Sequence, residues 1–255
     1  MGLDRVYYIR ISEDASIQLI LNALEAYSVF HQGKKKAKTC LETYGLLWGH
    51  EINLSKNKDT LYSIELISID TSAERERSFC NPNESALKLK RDLMTSFWPY
   101  YDFLGDVHTH PYEKNYTHVC SKKYYNYSTD DFKRLEDYSE YWKEHNYRVG
   151  LVLTIALMDK AGTKDPIYKP DNMIEFTLGN YRLWLKGHVL YEDSEENEDS
   201  EKRTALKVTD HDEKNVFLDC PSLFGLKTEF TQFGRRRTGP GEKHIPSDIL
   251  NKIKL

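Results

Sequence analysis

The feature that most constrains the fold is an alternation of strand-like and helix-like segments along most of the chain. The segment LDRVYYIRI is typical of an opening strand, and Ser12 directly after it is a residue type that caps helices. A helix is expected next, because apolar residues recur there at helical spacing: Ile17, Ile20, Leu21, Leu24 and Tyr27. GLLWG and LYSIELISI then predict two strands joined by a polar turn, as in a hairpin.

The alternation continues through the middle of the sequence. NPNESALKLKRDLMTSFW predicts a helix with one apolar face, formed by Ala86, Leu89, Leu93 and Phe97. STDDFKRLEDYSEYWKEH predicts another, with the apolar residues Phe132, Leu135, Tyr138 and Trp142 on one side. YDFLGDVHTHP, VGLVLTIALM and IEFTLGNYRLWLKGHVLY predict strands between and after these helices. The pattern predicts an α/β (α+β) fold in which a mixed central sheet is sandwiched by helices.

An acidic segment interrupts this pattern. Residues 192–201 read EDSEENEDSE, with seven acidic residues in ten positions and no apolar residue. Such a run repels itself and is typical of a solvated linker or loop. We therefore expect a main domain over residues 1–191, an acidic linker or loop over 192–201, and a C-terminal extension of unknown role over 202–255.

Composition excludes several classes of protein. The 36 Lys and Arg residues against 40 Asp and Glu residues give a net charge of −4, which excludes an overall basic nucleic-acid binder. No apolar run approaches the ~20 residues that a membrane-spanning helix needs, and charges interrupt the first residues, unlike a signal peptide. The four cysteines, which favour reduced thiols because no two form a CxxC pair, are Cys40, Cys80, Cys120 and Cys220. These features predict a cytoplasmic protein without membrane partners.

The most informative local motif is His108-Thr109-His110-Pro111 at the end of a predicted strand. Side chains two positions apart on a strand point to the same face, so both imidazoles can reach one metal ion. Pro111 cannot donate a hydrogen bond within a central strand, which predicts that the pair lies at the sheet edge beside a loop. A structural or surface-exposed histidine pair is the competing interpretation.

A third ligand is expected because catalytic zinc usually takes three protein ligands and one open position. Ser128-Thr129-Asp130-Asp131 offers one in Asp131, although Ser-x-x-Asp is also a common helix-capping pattern. Both interpretations are compatible, since Ser128 can cap the helix while Asp131 lies one turn further on. Upstream, Glu42 directly precedes a strand-like segment bounded by glycines, TYGLLWG.

In this order the residues resemble the JAMM motif, E…HxHP…SxxD, of the MPN+ metallopeptidase family. The matched positions are Glu42, His108, His110, Pro111, Ser128 and Asp131. The flanking segments ETYGLLWG and LGDVHTHP are also similar to those of the family. The resemblance covers about residues 6–191 and implies an MPN/JAMM-type sheet with helices on both sides.

The resemblance also implies a role for each motif residue. His108, His110 and Asp131 would bind one Zn²⁺, with water in the fourth position. Glu42 would act as general base toward that water and then protonate the leaving amine. Ser128 would donate a hydrogen bond to the tetrahedral oxyanion. The implied enzyme is a zinc metallopeptidase that needs no covalent nucleophile.

The family's best-known reaction implies the class of substrate. It is hydrolysis of a peptide or isopeptide bond after the C-terminus of ubiquitin or a ubiquitin-like protein. We expect a deubiquitinase-like isopeptidase, similar to prokaryotic members that accompany ubiquitin-like conjugation operons, some of them antiviral. The expected partners are a ubiquitin-like protein or its conjugates, together with E1-like and E2-like proteins of such an operon.

The sequence departs from the family pattern between His110 and Ser128, where the spacing is 18 positions. The residues that lengthen it, here called the 112–127 insertion, are rich in Tyr and Lys and include His118 and Cys120. The insertion is either a surface loop or a loop that contacts substrate, and a second metal is a further alternative. Its length also leaves Asp130 as a substitute for Asp131 in the ligand set.

Two other functions remain open at this stage. One is a JAMM-fold metal-binding protein of other function, such as a DNA-repair-associated member. The basic segments at 33–38 and 233–243 would favour that function, because cationic loops bind phosphate. The other is a non-catalytic MPN scaffold, which typically lacks the metal ligands, whereas every motif position is filled here.

Overall fold

The computed structural model describes most of the chain in separate ranges: 5–29, 39–54, 59–113, 116–137, 147–159, 166–168, 171–193, 207–210 and 213–223. The predictions made for the basic segments 33–38 and 233–243 lie outside these residues. So do most of the acidic segment and the helical positions Tyr138 and Trp142.

The described elements follow the predicted alternation, with several short strands added. In chain order they are β1 (Tyr7–Ile11), α1 (Glu13–Ser28), β2 (Tyr44–Leu54), β3 (Asp59–Ile69), β4 (Glu74–Arg75), β5 (Cys80–Asn81), α2 (Glu84–Phe97), β6 (Asp102–Tyr112), α3 (Tyr116–Lys122), α4 (Thr129–Asp137), β7 (Tyr147–Leu157), β8 (Ile167–Tyr168), β9 (Met173–Leu178), β10 (Tyr181–Asp193), β11 (Lys207–Asp210) and β12 (Val216–Asp219).

One large mixed sheet organises these elements. Ten strands take part, in the order β12-β1-β3-β2-β6-β7-β10-β9-β8, and β11 also pairs with β10. The pairs β1–β12, β1–β3 and β6–β7 are parallel and the others are antiparallel. Strands β4 and β5 form a separate antiparallel pair. The predicted mixed α/β class and the β2–β3 hairpin are thereby confirmed.

Helix α1 begins where the sequence predicts, because Ser12 Oγ accepts a hydrogen bond from the backbone N–H of Ala15 at 3.3 Å. Its buried face is shifted from the predicted stripe. The fully buried residues recur every four positions and are Ala15, Leu19, Ala23 and Tyr27. Of the other predicted positions, Ile20 and Leu24 pack partly buried against the core, whereas Ile17 and Leu21 are exposed. Small side chains at two of these buried positions let the helix approach the sheet closely.

Helix α2 is also confirmed, with Asn83 as its N-cap. Its apolar face does not pack on the sheet, because Leu89, Leu93 and Phe97 are all exposed. The helix buries Leu87 and Met94 instead. Periodicity predicts that a helix has an apolar face, but it does not determine which face the fold covers.

Strand β6 lies between β2 and β7 in the centre of the sheet, so the predicted position of the histidine pair at a sheet edge is wrong. The Pro111 nitrogen lies on the same side of the strand as the Thr109 nitrogen. Thr109 N–H donates to Thr43 O at 3.0 Å, and β2 begins only after that point, at Tyr44. A central strand therefore tolerates Pro111, because the pairing of β6 with β2 ends at His108 and Tyr44, before the proline.

The sheet continues beyond residue 191. Strand β12 pairs in parallel with β1. Val216, Leu218, Cys220 and Leu223 are buried in the same core cluster as α1 and the central strands. The described part of the extension after the acidic segment therefore packs into the main sheet and core.

Candidate metal centre

Three candidate ligand side chains meet at the end of β6. His108 Nε2 and His110 Nε2 lie 3.1 Å apart. Each nitrogen lies 3.5 Å from a carboxylate oxygen of Asp131, Oδ1 for His108 and Oδ2 for His110. Within the described ranges, these residues form the one group of three or more His, Cys, Asp or Glu residues that can hold a metal ion.

Local structure explains how the three side chains converge. His108 and His110 alternate along β6 and therefore share one face of the sheet, as the sequence predicts. Asp131 lies in the first turn of α4, which packs over that face. Both imidazoles are buried, at 7% and 9% exposure. The motif residues are thus drawn together by one strand end and one helix start.

The distances fit a zinc-sized ion. Ligand atoms about 2.0–2.1 Å from zinc at tetrahedral angles lie about 3.3 Å from one another, close to the 3.1 and 3.5 Å measured here. His110 Nδ1–H donates to the carbonyl oxygen of Tyr124 at 3.0 Å, because that oxygen can only accept. This bond leaves the Nε2 lone pair directed at the shared position, a common arrangement for metal-binding histidine.

The electrostatics of the group also suit a cation. Burial alone would raise the pKa of Asp131, but hydrogen bonds and charge from His108 and His110 outweigh it and hold that pKa well below its usual range. Burial lowers the pKa of His108, whereas for His110 burial is outweighed by the hydrogen bond and charge of Asp131, which raise its pKa. The ionised carboxylate is the form of Asp131 that a metal requires.

Ser128 and Asp131 form a reciprocal cap at the start of α4. Ser128 N–H and Ser128 Oγ both donate to Asp131 Oδ2 at 2.7 Å, and Asp131 N–H donates back to Ser128 Oγ at 3.1 Å. Asp130, the substitute ligand, points to solvent with 85% of its side chain exposed. The capping and ligand interpretations of this motif therefore hold together in the geometry, and Asp131 is the acid that joins the histidines.

Glu42 lies on the same side of the sheet, just before β2. Its N–H donates to the Glu76 carbonyl at 2.8 Å, and the residue is buried at 8% exposure. Burial raises the pKa of Glu42 from 4.5 to about 7, with the charge of Asp131 adding to the shift and His110 opposing it. The structure thus places near the metal group a carboxyl that can exchange a proton at neutral pH.

A cavity of about 770 Å³ opens over this arrangement. Glu42, His110, Ser128 and Asp131 line one part of it. The other walls come from the β4–β5 region and from α4, and they carry Arg77, Ser78, Phe79, Asn81, Lys133 and Arg134. Arg134 is fixed there because it donates to the Cys80 carbonyl at 2.7 Å. The cavity is large enough for an extended peptide segment.

Several site residues escaped the sequence analysis. The ring of Tyr127 stacks on His108 with centroids 5.2 Å apart, and on His188 with centroids 4.4 Å apart. His188 comes from β10, far along the chain, so no local motif marks it. The available signal was the largely apolar segment YRLWLKGHVLY, in which Lys186 and His188 lie on one face of a strand.

The structure shows where the histidine and cysteine of the 112–127 insertion lie and in what state the four cysteines are. His118 is exposed on α3, and no second ligand group that includes His118 and Cys120 occurs within the described residues. All four cysteines are free thiols. Burial raises the pKa of Cys80 to about 12, which keeps its thiol protonated and unreactive.

Comparisons with known proteins add little to the site. No protein-family model matches the sequence, and no curated protein matches it. Among solved structures 76 chains match. One is the solution structure of protein DSY2949 from Desulfitobacterium hafniense, with 12% sequence identity, a TM-score of 0.39, and coverage of 83% of this chain and 92% of that one. A TM-score of 0.39 carries no argument about function.

Membrane insertion through a helix has no support in the described part of the chain. None of the helices there has the length and the apolar character that crossing a bilayer requires.

Proposed function

We propose that the protein is a JAMM-type zinc isopeptidase that cleaves the bond after the C-terminus of a ubiquitin-like protein. The observation that carries the proposal is the convergence of His108, His110 and Asp131 on one point, with Glu42 on the wall of the same cavity. The order of the motif along the chain supports an MPN-type arrangement of the sheet and helices around it. His108, His110 and Asp131 are the proposed zinc ligands, and Glu42 and Ser128 the proposed catalytic residues.

The chemistry of each residue supports this assignment. A bound zinc would supply Lewis acidity and make a water molecule acidic enough to lose its proton near neutral pH. Glu42 accepts that proton on its carboxylate and releases it to the leaving nitrogen, a transfer suited to its pKa of about 7. The hydroxyl of water ends on the carbonyl carbon and the amine leaves protonated, so the reaction balances without another reactant.

Ser128 is proposed to donate a hydrogen bond to the oxyanion. In the structure its Oγ–H is directed at Asp131 Oδ2. The proposed role therefore requires this hydroxyl to turn from Asp131 toward the substrate oxygen when substrate binds. Well-placed oxyanion donors contribute roughly 10²–10³ in rate.

The cavity supports an extended substrate. Arg77, Ser78 and Phe79 lie between β4 and β5 and line the cavity beside Glu42. A flexible C-terminal tail can bind there by pairing its backbone with an available strand edge. We propose that the substrate is a precursor or conjugate of a ubiquitin-like protein in the cytoplasm. Its E1-like and E2-like partners would belong to the same operon, in an antiviral setting.

Metal analysis and a cleavage assay test the proposal together. The purified protein should carry about one zinc ion per chain and should cleave ubiquitin, or a ubiquitin-like protein, fused through its C-terminus to a fluorescent reporter. Glu42→Gln should retain zinc and lose cleavage by at least about 10²-fold, since general acid–base catalysis contributes that much or more.

A matched control comes from the same part of the chain. Glu51→Gln removes a comparable carboxylate from an exposed position on β2 and should cleave at the wild-type rate. Equal cleavage by Glu42→Gln and wild type would refute the assigned mechanism. A zinc-loaded protein that cleaves no such fusion would instead favour a JAMM-fold metal-binding protein of other function.

A further inference from the structure

The last four residues of the 112–127 insertion lie between the metal group and strand β10. This segment, 124–127, leads directly into Ser128 and Asp131. The whole 112–127 insertion is far longer than a minimal connection from β6 to α4 requires. Two residues of segment 124–127 contact the histidines of the proposed metal centre. The insertion is therefore part of the surroundings of the site.

On the metal side, the segment makes one contact with each histidine. The Tyr124 carbonyl accepts the Nδ1–H of His110 at 3.0 Å. The Tyr127 ring stacks on His108 with an interplanar angle of 26°. Each contact restrains the rotation of an imidazole whose Nε2 faces the shared position. Contacts of this kind fix the orientation and tautomer of metal ligands.

On the other side, strand β10 holds the same segment in register. Its residues Trp184, Lys186 and His188 alternate and share one face of the sheet. They contact three consecutive residues of the segment: Trp184 stacks on Tyr125, Lys186 Nζ donates to Asn126 Oδ1 at 2.8 Å, and His188 stacks on Tyr127. A one-residue shift of the segment would break all three contacts.

Two further contacts fix this arrangement. A Cβ atom at Gly150 would lie 1.9 Å from the Tyr127 hydroxyl oxygen, so the ring fits over β7 only because residue 150 is glycine. His188 is itself oriented, because its Nδ1–H donates to Asp210 Oδ2 at 2.6 Å. Asp210 belongs to β11, beyond the acidic segment. The support behind Tyr127 thus includes the C-terminal extension.

We propose that segment 124–127, held by Lys186, His188 and Gly150, is a built-in support that orients His108 and His110 for metal binding. Lys186, His188 and Tyr127 are positioning residues, since they act through the two histidines. This inference rests on the proposed metal centre. It assigns the unusual insertion a role in the site, in place of either a surface loop or a second metal site.

The test compares two buried cations on the same strand. Lys186→Met removes the hydrogen bond to Asn126, whereas Arg182→Met removes a buried ion pair with Glu175 on the neighbouring strand β9. Zinc affinity is measured by competition with a chelating dye at a temperature where circular dichroism shows each variant folded. Lys186→Met should weaken zinc binding by about 10- to 100-fold, the usual effect of losing support behind a ligand. Arg182→Met should bind zinc as wild type does, even with a lower melting temperature.

A second variant covers the case in which Lys186→Met does not fold. Gly150→Ala displaces the Tyr127 ring without altering a ligand, and it should weaken zinc binding in the same range. Wild-type zinc affinity in the folded variants would overturn the positioning role and leave the metal centre standing. A wild-type protein that binds no zinc would overturn the metal centre and this inference together.

Discussion

The two faces of strand β10 show how differently one sheet is used. Leu183, Leu185 and Val189 point into the main core, where they belong to the same cluster as apolar residues of α1, β1 and β12. The alternate residues Lys186 and His188 point toward segment 124–127 and the metal group. Alternate residues of one strand therefore belong to two environments, the apolar core on one face and the polar site on the other.

The difference follows from what each kind of burial requires. Apolar burial is nondirectional, so many side chains of the right size stabilise the core face. A buried cation or imidazole costs free energy unless a partner lies at the right distance and angle. On the polar face each buried group therefore constrains its neighbours, and that constraint is what a metal site needs.

The largest effect on stability is expected on the apolar face. Leu153→Ala empties a fully buried position on β7 within the main core. The free energy of unfolding should fall by about 2–5 kcal/mol, which combines lost apolar burial with a residual cavity. Urea denaturation measures this loss. The zinc affinity of the folded variant should be unchanged, and a parallel loss of zinc binding would break the separation between the two faces.

A substitution on the polar face should reduce zinc affinity more than stability. Asp131→Asn keeps the size of the side chain but removes the negative charge that would neutralise the proposed zinc ion. Zinc affinity should fall by more than about 100-fold, since the loss of a ligand exceeds the 10- to 100-fold effect of losing its support. Isothermal titration calorimetry measures it, with Asp130→Asn, an exposed neighbour, as the control that should bind zinc normally.

A pH-dependent effect is expected for Glu42 in the zinc-free protein. Its pKa is about 7 when folded, against an ordinary 4.5. Between pH 4.5 and pH 7, Glu42 is ionised in the unfolded chain but still protonated in the folded protein. The wild-type free energy of unfolding therefore falls as pH rises through this range. Glu42→Gln has no carboxyl at this position, so its free energy of unfolding does not fall in this way. The variant should be more stable than wild type by about 1–2 kcal/mol at pH 8, and the two should be closely similar at pH 4.5.

Urea denaturation of chelator-treated protein at both pH values checks this expectation. A constant difference between Glu42→Gln and wild type across the range would contradict it. That result would mean that the Glu42 carboxyl is as well solvated in the folded protein as in the unfolded chain.

The smallest effect should come from the helix cap at the site. Ser128→Ala removes the hydroxyl that accepts the Asp131 N–H. Stability should fall by about 1 kcal/mol, typical of a lost N-cap, as measured by thermal denaturation. Ser128→Asp, another good capping residue whose carboxylate cannot donate a hydrogen bond, should restore stability but not cleavage. Restoration of both would exclude the hydroxyl as an oxyanion donor.

Local pattern predicted much of the molecule. The alternation of periodicities gave the main helices and long strands, and the two-residue spacing placed His108 and His110 on one face. The Ser128–Asp131 spacing predicted both a cap and a possible ligand. The helix, strand and cap predictions are confirmed because each depends on residues within one turn of helix or a few positions of strand.

Other features could not be obtained from local pattern. The exposed face formed by Leu89, Leu93 and Phe97 has the periodicity of a buried one. Pro111 suggested a sheet edge, yet β6 lies between β2 and β7 and tolerates the proline because β2 begins only at Tyr44. In both cases the outcome depends on which element the fold brings alongside, and no local spacing encodes that.

The sequence by itself determined the types of the candidate ligands, their spacing along β6 and α4, and the class of fold that presents them. Only the tertiary structure decided that Glu42 shares their cavity, that β10 supports segment 124–127, and that strands after the acidic segment complete the sheet. The physical reason is sequence distance. Contacts such as Lys186 to Asn126 join residues 60 positions apart, and they exist only when strand order and register have been set by the whole core.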